Sequence, residues 1–134
     1  MIFDAGSLFR IVTALAEEEG VPVPISLGTL CAIVMEAERL AAGRTEDEPA
    51  ALFYASARRA HLFAKTARSF LDGIGRAQAV RVGLALDVDE LDIILLRGRI
   101  GHRTAHWVDV REAFAGWLRP SDELPRRRPP KRPR

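Results

Sequence analysis

An all-α fold, a compact bundle of five to six helices, is what this sequence predicts. Three observations point there. Apolar residues recur at three- and four-residue steps through most of the first 118 positions. Glycine and proline (Gly20, Pro22, Pro24, Gly43, Pro49, Pro120) sit between those runs, where helices stop and start. No run finds a partner strand elsewhere in the chain. A length of 134 residues suits one domain, which at that size buries about two-thirds of its unfolded surface.

The first helix is expected from Asp4 or Ser7 to Glu19, with Ile2, Phe3, Leu8, Phe9, Ile11, Val12 and Leu15 on a broad apolar stripe and Gly20 as its stop. Val21-Pro22-Val23-Pro24 is an extended connector, because each proline restricts the residue before it. Ser26 caps a second helix ending near Gly43, with Leu27, Leu30, Ile33, Val34, Ala37 and Leu40 facing inward. Pro49 opens a third helix, rich in alanine, that is expected to reach about Ala67 and to contain His61. A turn then precedes a fourth helix, Gly75 to Leu86, and the continuous apolar stretch Leu91 to Leu96 is a short fifth helix or a buried strand, helix being preferred because no partner strand is visible. Gly98-Arg99-Ile100-Gly101 is a turn. A last helix, capped by Thr104 or Asp109, carries Trp107, Val110, Phe114 and Trp117 on one face and ends before Pro120.

Composition narrows the class. Of the residues, 48% are hydrophobic and 28% charged, as in soluble globular chains. The net charge of +2 divides unevenly: residues 120–134 carry +4 and residues 1–119 carry −2. The reading is therefore a helical domain, 1–119, with a basic tail, 120–134. Four prolines and six basic residues in 125–134 predict an extended, disordered segment. Nucleic acid is a partner only through that tail, which lacks aromatics for base stacking. No stretch suits a membrane span or a signal peptide, and the single cysteine, Cys31, reads as a small core residue, which fits a reducing cytoplasm.

The chemistry-bearing stretch is Arg68 to Arg81, RSFLDGIGRAQAVR. Gly73 and Gly75 just before a helix let backbone N–H groups converge, a helix N-terminus adds partial positive charge, and Arg76 adds a full one. Such a turn, Leu71 to Gly75, makes an anion site of phosphate size; an ordinary Asp-Gly turn is the plain alternative. Phe70, Asp72, Gly73, Gly75 and Arg76 resemble the Fic/Doc signature, His-x-Phe-x-Asp/Glu-Gly-Asn-Gly/Lys-Arg, with Arg68 at its histidine and Ile74 at its asparagine. The order of helices from Glu46 to Leu118 is similar to that of small Doc-type members, whose motif joins a long central helix to the next.

The resemblance implies a Doc-like toxin component of a bacterial toxin–antitoxin pair. It implies ATP and magnesium as cofactors, with Asp72 on the metal and Gly73, Ile74, Gly75 and Arg76 on the phosphates. The reaction implied is transfer of a phosphate or AMP group to a protein hydroxyl, for instance on a translation factor. Arg68 cannot serve as the missing base, since guanidinium stays protonated, so catalysis is expected to be impaired or lost. The family's inhibitory Ser/Thr-x-x-x-Glu-Gly/Asn helix has no match, because Glu18 follows Thr13 and Glu17; inhibition is expected from a separate antitoxin. The alternatives are a non-catalytic partner-binding module on the same fold and a helical protein acting on nucleic acid through its tail. His61-Leu62-Phe63 mimics the start of the motif but lacks the acid and glycines after it. His102 and His106 have zinc-like spacing without a third ligand nearby, and Asp87, Asp89, Glu90 and Asp92 read as a solvated helix boundary.

Overall fold

A computed structural model describes residues 1–63 and 65–123. It is all-α in substance: six α-helices and one two-stranded ribbon among the described residues. Helix α1 (Ala5–Glu19) begins where the Asp4 carboxylate accepts from the Ser7 N–H at 2.8 Å. It ends at Gly20, whose φ of 69° only glycine adopts without strain. Helix α2 (Leu27–Ala41) starts at Ser26, whose hydroxyl accepts from Thr29 N–H at 3.1 Å. These two starts follow the expectation closely.

Helix α3 (Glu48–Ala57) lies at the centre, packed by α2, α4 (Arg68–Arg81), α5 (Glu90–Gly101) and α6 (Trp107–Trp117). Every residue of α3 except Tyr54 is buried. A helix enclosed on all sides needs small residues, and Ala50, Ala51, Ala55 and Ala57 supply them. Phe53 of α3 and Phe114 of α6 meet with ring centres 5.4 Å apart in the middle of the core. Helix α1 rests on α2 and touches α4 only sparsely.

Several expectations fail here. The third helix stops at Ala57 and does not reach Ala67, so His61 lies outside it, in the 3-10 turn Ala60–Leu62. Arg59 sends its guanidinium back to the Ala55 carbonyl at 3.1 Å, meeting an acceptor of the final turn. The break also lets Phe63 turn inward and stack on Phe70, centres 6.2 Å apart. The fourth helix begins at Arg68, not Gly75, and runs through the expected turn. It ends before Gly83 (φ 80°), and Leu84 to Leu86, read as helix, is strand β1.

Strand β1 (Leu84–Leu86) pairs antiparallel with β2 (Leu118–Pro120) in the register Leu84 to Pro120, Ala85 to Arg119 and Leu86 to Leu118. Two three-residue strands so far apart carry no periodic signal, which is why the ribbon was not foreseen. Helix α5 continues through Gly98–Gly101, the predicted turn. The N-cap of α6 is His106, not Thr104 or Asp109; Asp109, the third residue of the helix, accepts from His106 N–H at 2.9 Å as one half of a capping box. Cys31 and Leu27, both placed inside by periodicity, are exposed on α2. No helix among the described residues is long and apolar enough to cross a membrane. The predicted tail, apart from 120–123, lies outside the described residues.

Candidate functional site

The residues of the expected anion loop sit on successive turns of α4, and the helix assigns each a different neighbour. Their amides lie in a continuous helix, Arg68–Arg81, so those of Gly73 to Arg76 point along its axis to earlier carbonyls. The loop reading is corrected on this point. No converging set of free N–H groups is formed at Leu71 to Gly75, and the N-terminus lies at Arg68 instead, where Ala67 offers no side-chain cap.

Gly75 explains why a glycine stands inside a helix. A β-carbon there would lie 3.0 Å from Cε2 and 3.1 Å from Cζ of Phe114, and 3.5 Å from Cβ of Phe53. The missing side chain is what lets α6 and α3 approach α4. Gly73 differs, because a β-carbon there meets nothing within 4 Å. Ile74, at the family's asparagine position, is buried in the core.

Asp72 and Arg76 are the two residues with phosphate chemistry, and both are occupied. The Asp72 carboxylate, nearly buried, accepts from Nε and Nη2 of Arg97 on α5. This forked pair ties α4 to α5. Arg76 donates through Nη1 to the Leu86 carbonyl at 2.7 Å and through Nη2 to Val88 at 2.5 Å. It thereby satisfies the chain that leaves β1 for α5. A magnesium-bound phosphate at Asp72 would have to displace Arg97, leaving a guanidinium without its partner. Among the described residues, no three His, Cys, Asp or Glu side chains come together as a metal site. His102 and His106 belong to different helix ends, the C-cap of α5 and the N-cap of α6.

The segment that does join two helices ahead of a helix N-terminus is 58–67. Its first two residues are tied down: Arg58 and Arg59 both bind Glu36, at 2.6 and 2.5 Å, and Arg58 also lies over the Tyr54 ring. His61 and Lys65 are exposed and Arg68 half-exposed. His61-Leu62-Phe63 therefore occupies an interhelical joint and not the middle of a helix.

The outward face of α4 forms something else. Ser69, Phe70, Gly73 and Ala77 line one wall of an apolar groove of about 210 Å³, and Ile11 and Leu15 of α1 line the other. The floor includes Leu8 and Ile74. Small residues at four-residue steps keep the α4 wall flat, while Ile11 and Leu15 remain partly open to solvent. Glu17, Glu18 and Glu19, with no basic residue in the last turn of α1, make that end acidic.

Three polar residues escaped the sequence reading. Arg97 follows an apolar run and reads as a helix-end cation, although it holds Asp72. Glu36 is buried beneath two arginines. Gln78 is wholly buried, donating to the Met1 carbonyl at 2.9 Å and to Glu48, and accepting from Phe3 N–H. Only Gln78 left a signal, a polar residue on an otherwise apolar helical face. No family model, curated protein or solved structure matches this chain.

Proposed function

We propose that this chain is a partner-binding module of Doc-like build that holds a segment of another protein in the groove between α1 and α4 and transfers no phosphate or nucleotide. The observation that carries the reading is the division of labour on α4. Its chemical residues, Asp72 and Arg76, turn inward to Arg97 and to two carbonyls, while its small residues turn outward to an apolar groove.

The signature itself supports the non-catalytic reading in either register. At 68–76 the acid, glycines and arginine are present, but the backbone is helical and Arg68 replaces the base. At 61–69 the joint between helices and His-x-Phe are present. There Lys65 stands where the metal-binding acid belongs, Ala67 replaces the asparagine, and Ser69 replaces the arginine. A lysine repels the magnesium that such transfer requires. The separate antitoxin implied by the resemblance is then the class of partner that fits the groove, and modification of a translation factor is not part of the proposal.

The test is a titration of the purified partner against the wild type and Gly73→Arg. Gly73 has open space above it, so the variant should fold, while its side chain fills the groove. Affinity is expected to fall by at least about tenfold, as for a blocked central pocket. A partner that binds Gly73→Arg as tightly as the wild type overturns the docking site.

A further inference from the structure

Helix α5 carries a second apolar surface, separate from the groove between α1 and α4. Ile93, Leu96 and Ile100 face the core and Arg97 is held by Asp72, which fixes the rotation of the helix. The opposite side then presents Leu91 (63% exposed), Ile94 (38%) and Leu95 (56%) within five residues. Gly98, one turn on from Ile94, keeps the next position low.

The charges around this patch are ordered by sign. Asp89, Glu90 and Asp92 stand at its N-terminal end, and Arg99, His102 and Arg103 at its C-terminal end. The order suits the helix dipole. It also makes the surface complementary to itself on a two-fold rotation. An antiparallel copy centred on Leu95 sets the acidic end of one α5 against the basic end of the other, twice, with the leucines and Ile94 between them. A parallel copy meets repulsion at both ends, and a partner of one uniform sign meets it at one.

We infer that α5 is a self-association surface and that its occupant is a second copy of this chain, paired antiparallel through Leu91, Ile94 and Leu95. The interface is isologous, as two-fold pairing requires. A 12-residue helix is about 18 Å long, so the interface is small and the association weak, micromolar or weaker. The inference does not depend on the groove between α1 and α4.

Sedimentation equilibrium of the full chain from about 1 µM to about 1 mM tests it. The wild type is expected to pass from monomer to dimer, and the double variant Leu91→Asp/Leu95→Asp to stay monomeric. Both leucines are exposed, so circular dichroism should show the fold intact. Asp92→Arg and Arg99→Asp should each weaken the dimer by about tenfold through like-charge contact, and their combination should restore it. A wild type that remains monomeric throughout overturns the inference. So does a dimer that survives Leu91→Asp/Leu95→Asp, or a charge-swapped double variant that folds but fails to recover.

Discussion

At Gly73 and Gly75, two glycines of one motif have opposite physical roles, and a pair of substitutions separates them. A β-carbon at Gly75 collides with Phe114, so Gly75→Ala should destabilise the protein by about 1–3 kcal/mol, the usual cost of overpacking. Gly73 is helical with nothing within 4 Å, so Gly73→Ala should leave stability unchanged or raise it by up to about 1 kcal/mol. Urea denaturation of both variants checks this. A loop built to wrap a phosphate would be harmed at both positions. Asp72 belongs to the same scale. Removing its carboxylate leaves Arg97 without a partner in a mostly buried setting, and Asp72→Ala should cost about 3–5 kcal/mol. Replacing both residues with leucine should recover much of that loss, as a double-mutant cycle would show.

Elements are where sequence reading and structure part company. Helix starts with a side-chain cap, Asp4 and Ser26, were legible because the capping residue and the periodic run after it are adjacent in sequence. The end of α3 was not legible. It depends on Glu36, more than twenty residues earlier, holding Arg58 and Arg59, and on the Phe63–Phe70 contact. Local propensity favours continuing an alanine-rich helix, and tertiary contacts override it. The turn expected at Leu71 to Gly75 is absent for the same reason. Asp-Gly-x-Gly is turn chemistry by local rules, yet Phe114 demands a glycine inside a helix. Capping also has a pH consequence. The Ser7 backbone N–H, and then its hydroxyl, hold the Asp4 carboxyl below its ordinary value. A lowered folded value means that this stabilisation is present above the usual aspartate range and is lost as pH falls through it. Acid titration of α1 by NMR should show its first turn loosening in that window, and Asp4→Asn should flatten the response.

Over the whole molecule, the all-α class and the order of helices followed from periodicity and punctuation, because one central buried helix with amphipathic neighbours leaves that pattern in any order of packing. The ribbon of β1 and β2 and the arginine links to Asp72, Leu86 and Val88 did not follow, since each joins residues ten or more positions apart. Those same links carry the proposed reading. They consume the groups that a nucleotide would need and leave the outward side of α4 to form a groove. The most direct test is calorimetry of ATP with magnesium against the wild type and Arg76→Ala. No saturable binding is expected in either, with Arg76→Ala melting at a lower temperature because the Leu86 and Val88 carbonyls lose their donor. Saturable ATP binding to the wild type that disappears in a folded Arg76→Ala would contradict the proposed reading, and would return the anion site to α4.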